Sequence, residues 1–246
     1  MQEKRPVVLT IAGFDPCGGA GVLADVKTLE QLRIHGVAVI TAYTVQTEEK
    51  CYSVDWRRVE DVTQDLKVLM RRYPIDVVKI GIVPDAVFLQ TIIRCIKLWQ
   101  KNTRVVWDPV MKSSSGLPFF NENDLSRLAD IIPQIDLMTP NYPEYLLLER
   151  LMNSGAGNAI LIKGGHRCDL KGVDVLRQGD NETLIYPSIT NPVFEKHGSG
   201  CVLSSAIAGY LALGKTMEQA SLLGKKYIEL YLQSSPTLIG YHHHAG

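Results

Sequence analysis

Gly198-Ser199-Gly200-Cys201 stands directly before an apolar, helically spaced stretch that predicts a helix over about 200–213. Two glycines let the backbone turn its amides towards an anion, and the positive end of the helix dipole favours negative charge there. A thiol in that position is expected to have a lowered pKa, with thiolate accessible near neutral pH. The same spacing also suits a glycine-rich turn holding a buried, inert cysteine. Other reactive or turn-forming groups are Gly13-Phe14-Asp15, Lys79-Ile80-Gly81, Asp108-Pro109, Pro140-Asn141 and Lys163-Gly164-Gly165-His166. Turn chemistry accounts for the Gly, Pro, Asn and Asp, but not for two lysines and a histidine. Gly18-Gly19-Ala20-Gly21 precedes a helical pattern carrying Asp25 and Lys27, and Asn141-x-x-Glu144 opens another. Taken alone, the latter is a relative of the capping box.

These groups share a position relative to the predicted elements. Val7–Ala12, Val37–Thr41, Asp76–Ile80, Val105–Trp107, Leu137–Thr139 and Ala159–Ile162 are short and rich in Val and Ile, as strands buried on both faces should be. Helical patterns lie between them, at about 20–35, 59–72, 84–101, 122–131 and 142–151. Repeated β-then-α order implies a mostly parallel α/β sheet with helices on both faces. Ligands bind such sheets outside the carboxyl ends of the strands, where the reactive groups fall. Beyond residue 165, Val173–Arg177 and Thr183–Tyr186 predict a hairpin across a turn containing Gly179, and helices at about 200–213 and 216–234 close the chain.

Two motif matches carry no function. Gly209 to Thr216 satisfies the P-loop pattern, but it continues a helical apolar face instead of following a strand. Gly214 there predicts a helix C-terminus, and Thr216 the N-cap of the next helix. Asn181-Glu182-Thr183 is a glycosylation sequon without a secretory signal.

Composition narrows the classes further. The 246 residues include 26 basic and 26 acidic side chains, a balance that argues against nucleic acid or an anionic membrane as main partner. The five cysteines form no CxxC pair, and no apolar run is long enough to span a bilayer. A single reduced, cytoplasmic domain over residues 1–246 is expected. His242–His244 suggests either a native tail or a remnant tag.

Taken in order, the motifs resemble a known family. Leu9 to Thr28, Val39 to Gln46, Lys79-Ile80-Gly81, Asp108 to Met111, Thr139 to Glu144, Lys163 to His166 and His197 to Cys201 are similar to the hydroxymethylpyrimidine/phosphomethylpyrimidine kinases of thiamine biosynthesis, members of the ribokinase-like superfamily. The resemblance implies a three-layer α/β/α sandwich, ATP as co-substrate, Mg²⁺, a small heteroaromatic alcohol as substrate, and a homodimer. It implies that Asp25 and Gln46 hydrogen-bond the aminopyrimidine ring, with Gly13 and Val110 lining its pocket. Gly198, Ser199 and Gly200 would form the anion hole, and Cys201 would be the base. Asn141 and Glu144 would organise the nucleotide phosphates, Glu144 towards Mg²⁺, with Asp108 and Lys163 near the nucleotide. The chain departs from the family pattern at Phe14 and Cys17, where hydroxyl residues are usual, and in a shortened segment at 153–158. A pyridoxal kinase and a non-catalytic vitamer-binding protein on the same scaffold are the alternatives.

Overall fold

In the computed structural model, residues 5–151, 158–166, 171–189 and 193–242 are described. Residues 153–157 of the shortened segment, Cys168, and His243 and His244 lie outside them. The chain begins with β1 (Val7–Phe14), α1 (Gly21–Gln31), β2 (His35–Gln46), β3 (Cys51–Trp56) and α2 (Val59–Arg72). It continues through β4 (Val77–Ile80), α3 (Ala86–Trp99), β5 (Arg104–Trp107), β6 (Leu137–Met138), α4 (Tyr142–Leu148) and β7 (Ala159–Ile162). The hairpin β8 (Asp174–Gln178) and β9 (Asn181–Ile185) follows, then α5 (Ser199–Ala212) and α6 (Met217–Gln233).

Among the described residues, nine strands join one sheet in the order β3-β2-β1-β4-β5-β6-β7-β8-β9. The run from β2 to β7 is parallel; β3, β8 and β9 pair antiparallel at its two margins. The alternation in β1 explains why both faces are covered. Val7, Leu9 and Ile11 enter the core beneath α2 and α3, while Val8 enters the core beneath α1, α5 and α6. Helix α5 is apolar on nearly every side because sheet, α1 and α6 enclose it, with Val202 to Gly209 buried throughout. The solvent-facing α2 instead carries Glu60 and Asp61 in its first turn and Arg71 and Arg72 in its last, matching the helix dipole.

Several expected boundaries move. β3 is absent from the sequence reading because it is an edge strand with exposed Tyr52, Ser53 and Asp55, not a buried apolar run. β2 extends past Thr41 to Gln46 because its outer half pairs with β3. Residues Glu122–Asp130 wind as a 3₁₀ helix in place of the expected α-helix, and α4 tightens into a 3₁₀ turn at Glu149–Leu151. α1 stops at Gln31, short of residue 35, because Arg33 takes a left-handed conformation (φ 58°) that turns the chain into β2. The hairpin turn is tighter than expected, with Gly179 at φ 58° between β8 and β9. The P-loop match is helical: α5 runs through to Ala212, and Thr216 caps α6 in a capping box with Gln219. Among the described residues, no helix is long and apolar enough to cross a membrane.

Candidate active site

Helix α5 packs on β1, β4 and β5, whose carboxyl ends lie in a row with those of β6 and β7 at one end of the parallel strands. Strand alternation dictates which side chains point there. Thr10 pairs in register with Lys79, and both share the face of Val8 and Val77, towards α1 and α5. Asp108, two residues beyond Val106, continues the same row.

The centre of this row is a buried ion pair. Lys79 Nζ donates to Asp25 Oδ1 at 3.0 Å and Oδ2 at 2.9 Å, and both side chains are fully buried. Ser205 Oγ donates to Asp25 Oδ1 at 2.6 Å, and Thr10 Oγ1 donates to Oδ2. A carboxylate offers about four lone-pair positions, and these four bonds occupy them. These bonds tie Asp25 to β1, β4 and α5, so that it anchors the floor of the site. Burial opposes the Lys79 charge, but the adjoining Asp25 carboxylate outweighs it and holds the ammonium above the ordinary lysine range.

A second pair lies one strand further on. Lys163 Nζ donates to Asp108 Oδ1 at 2.7 Å, with Thr139 Oγ1 at 3.2 Å from the same oxygen and Ser204 Oγ at 3.4 Å from Oδ2. Burial opposes the Lys163 charge too, yet Asp108 and Glu144 together raise its pKa. Asp174 fixes the chain beyond Lys163: its Oδ1 accepts from Gly164 N at 2.7 Å, and Lys225 lies 3.1 Å from its Oδ2. Asn141 and Glu144 form a full capping box at the start of α4. Asn141 N donates to Glu144 Oε2 at 2.8 Å, and Glu144 N to Asn141 Oδ1 at 2.9 Å. Burial raises the Glu144 pKa, and the like charge of Asp108 adds to this against the pull of Lys163.

Cys201 sits where the two pairs meet, close enough to Lys79, Asp25 and Asp108 for all three charges to act on its sulfur. Its pKa is not lowered as the helix N-terminus suggested. Burial pushes the thiol up to about 11, because desolvation and the two carboxylates outweigh Lys79 and the Gly21 amide. The first intrahelical bond of α5 runs from Val202 N to Gly198 O at 3.1 Å. The amides of Ser199, Gly200 and Cys201 thus precede the helical ladder, that of Ser199 reaching back to the Lys196 carbonyl through a long 3.4 Å bond. Gly200 lies against the cationic side of the site: a Cβ there would stand 3.2 Å from Lys163 Nζ.

Two glycines allow close backbone approach here: Gly198 seats the segment before α5 on the loop after β1, and Gly21 folds the start of α1 back onto the end of β1. At Gly198 (φ 70°) a Cβ would lie 2.0 Å from the Gly19 carbonyl oxygen, and at Gly21 (φ 56°) one would lie 2.1 Å from the Gly13 carbonyl oxygen. Gly198→Ala is expected to lower stability by roughly 2–3 kcal/mol, from left-handed strain plus the steric conflict. Urea unfolding measures it, and a loss below about 0.5 kcal/mol would mean that the loops do not interlock.

The remaining expected residues lie at or just beyond the ends of β1, β2 and β5. Gly13 packs against Ile82, Gln46 ends β2 half-buried, and Val110 is half-buried with its amide 2.8 Å from the Asp108 carbonyl. Phe14 ends β1 opposite Tyr43, ring centroids 6.1 Å apart. Thr10, Ser204 and Ser205 were not among the expected site residues, and Lys79 stood out only within a strand-end motif. Their signal is a polar residue interrupting an apolar run: Thr10 and Lys79 in buried strands, Ser204 and Ser205 one turn after Cys201 in an apolar helix. Asp15 and His197 were seen only as parts of motifs. Asp15 accepts from the amides of Cys17, Gly19 and Ala20 and from His197 Nε2, and so shapes the loop entering α1.

A family model described as phosphomethylpyrimidine kinase matches residues 15–245. The chain belongs to the phosphomethylpyrimidine kinase family. It is 33% identical over 249 residues to the hydroxymethylpyrimidine/phosphomethylpyrimidine kinase of Aquifex aeolicus, covering 94% of this chain and 96% of that one. It is 34% identical to the Escherichia coli enzyme of the same name, over 83% of this chain and 82% of that protein. A phosphomethylpyrimidine kinase structure from Clostridium difficile superposes with a TM-score of 0.74 at 30% identity, covering 91% of this chain and 98% of that chain. A pyridoxal kinase from Bacillus subtilis, solved as an ADP complex, superposes with a TM-score of 0.83 at 24% identity, covering 98% of each chain. The last likeness establishes the shared ribokinase-like fold alone.

Proposed function

We infer that this member of the family transfers the γ-phosphoryl group of ATP to the hydroxymethyl group of 4-amino-5-hydroxymethyl-2-methylpyrimidine, or to its monophosphate. The observation that carries this reading is the convergence of the Ser199–Cys201 amides with Lys163 and the Cys201 sulfur at one strand-end cleft. Phosphoryl transfer through a loose transition state asks chiefly for positioning and for donors aimed at the equatorial oxygens. The three amides supply those donors, with Ser199 offering a hydroxyl beside them. Lys163 adds a fixed cation near the nucleotide phosphates, held in place by Asp108. Gln46, Gly13 and Val110 form the rim against which the pyrimidine lies, and Gln46 offers both a donor and an acceptor to its amino-substituted edge.

The donor set fits Mg²⁺. Glu144 and Asp108 bring two carboxylates to a neighbourhood with one lysine, and burial together with the like charge of Asp108 raises Glu144, a cost that a divalent cation relieves. Glu144 would hold the ion together with phosphate oxygens and water, and Asn141 would keep Glu144 in place through the capping box. When bound, Mg²⁺ supplies charge neutralisation on the phosphates. Cys201 rests as a thiol; in the small fraction that has released its proton to solvent, the thiolate accepts the hydroxyl proton as the oxygen attacks the γ-phosphorus and ADP leaves. On this reading residues 1–246 act as one kinase domain, in a homodimer, with ATP and a heteroaromatic alcohol as partners.

The decisive assay follows ADP formation with the pyrimidine alcohol and with pyridoxal, separately and in competition. The reading expects the pyrimidine to be turned over with the higher kcat/KM. Turnover preferring pyridoxal would move the assignment to the vitamin B6 ring, and ring binding with no ADP formation would make the protein a binder.

A further inference from the structure

Asp15, Cys17 and His197 form a cluster that phosphoryl transfer leaves unused. Among the described residues they are the group of three in which one ligand atom from each lies within 4.8 Å of the others. Cys17 Sγ lies 3.0 Å from Asp15 Oδ1 and 3.2 Å from Oδ2, and His197 Nε2 lies 2.9 Å from Oδ2. A thiol, an imidazole and a carboxylate thus face one another, with only protons between them. Around a tetrahedral zinc ion, with Zn–S near 2.3 Å and Zn–N and Zn–O near 2.0–2.1 Å, such ligand atoms stand roughly 3.3–3.6 Å apart. The carboxylate has to part from its two neighbours by a few tenths of an ångström, while the sulfur and the imidazole nitrogen, within 4.8 Å of each other, close on the ion.

We propose that Asp15, Cys17 and His197 form a zinc site, with water as the fourth ligand. The ligands are held in place before any ion arrives. Asp15 is buried, and its carboxylate is oriented by the amides of Cys17 (3.0 Å), Gly19 (3.1 Å) and Ala20 (2.8 Å). The His197 amide donates to the Leu238 carbonyl at 2.9 Å, and the ring lies so close to Gly19 that a Cβ there would stand 2.7 Å from its Cδ2. Such outer bonds fix a metal ligand's orientation. Thiolate with imidazole selects zinc and its soft neighbours over Mg²⁺, so this site does not compete for the ion at Glu144. On binding, the Cys17 thiol proton leaves to solvent and His197 coordinates through Nε2 with its ring proton on Nδ1; no electron is transferred. An occupied site joins the loop after β1 directly to the segment entering α5.

The test titrates the reduced full-length protein with Co²⁺, a spectroscopic stand-in for zinc. A near-ultraviolet thiolate-to-cobalt charge-transfer band, saturating at one equivalent per chain and discharged by Zn²⁺, is expected. Cys17→Ser should abolish it and Cys201→Ser should leave it intact. Cobalt held by the terminal histidines produces no such band, because no sulfur is present there. The absence of the band at saturating cobalt, or an equal band in Cys17→Ser, overturns the proposal. X-ray absorption of the zinc-loaded, unmutated protein gives a reading independent of how the variants fold: one sulfur in the zinc shell is expected, and a shell of nitrogen and oxygen alone overturns it.

Discussion

Lys79→Met is expected to destabilise the fold by about 3–5 kcal/mol, the usual result of removing one partner from a buried ion pair. The substitution nearly preserves volume and packing, so the loss comes from the Asp25 carboxylate, left charged and fully buried with only Thr10 and Ser205 as donors. For a chain of this length that corresponds to a fall of roughly 6–20 °C in Tm. Adding Asp25→Asn to the same chain should recover a large part of the loss, since the unpaired charge disappears. Urea and thermal unfolding of the two single variants and the double variant make the measurement. A loss below about 1 kcal/mol for Lys79→Met would show that the pair does not hold the floor of the site.

Cys201→Ala should lower kcat by roughly 10²–10⁴-fold, the ordinary weight of one proton-transfer group, while affinity for the ring changes little. The pH profile separates proton transfer from packing. With the thiol pushed up to about 11, the thiolate fraction is about one part in ten thousand at pH 7 and grows tenfold per pH unit. The intact protein is therefore expected to show log kcat rising from pH 7 towards pH 9–10, with no plateau near neutrality, and the alanine variant should show a flat line. A flat profile in the intact protein would leave Cys201 as a neutral hydrogen-bonding group. Stability limits the upper end of the window. Because the folded-state pKa lies above the ordinary value of 9, the folded chain holds this proton longer than the unfolded one does, and stability falls as pH rises beyond about 9.

The parallel body of the sheet was legible because β1 and β4 to β7 are apolar on both faces, a pattern that solvent-exposed strands do not show. β3 was not legible for the converse reason, since its half-exposed, polar sequence resembles a loop until β2 is seen beside it. At the site, the residue types could be read but their pairings could not. Asp25 and Lys79 are 54 positions apart, and nothing in either neighbourhood signals that each neutralises the other. The Cys201 pKa shows how a local rule can fail. A helix N-terminus favours thiolate, yet burial, helped by two carboxylates delivered by α1 and by the end of β5, reverses the outcome. The capping box of Asn141 and Glu144 was visible because both of its residues lie within one turn.

The bond from Ser205 to Asp25 spans 180 positions, and the contact of His197 with Asp15 spans 182. The cleft is thus assembled from opposite ends of the polypeptide, and closing so large a loop is the slow part of reaching a native state. During synthesis the β1–α1 unit emerges early, with Asp25 lacking its α5 hydroxyl until the last fifth of the chain has left the ribosome. Competence for catalysis and completion of folding are therefore a single event, and a nascent or truncated chain has a sheet to offer but no site.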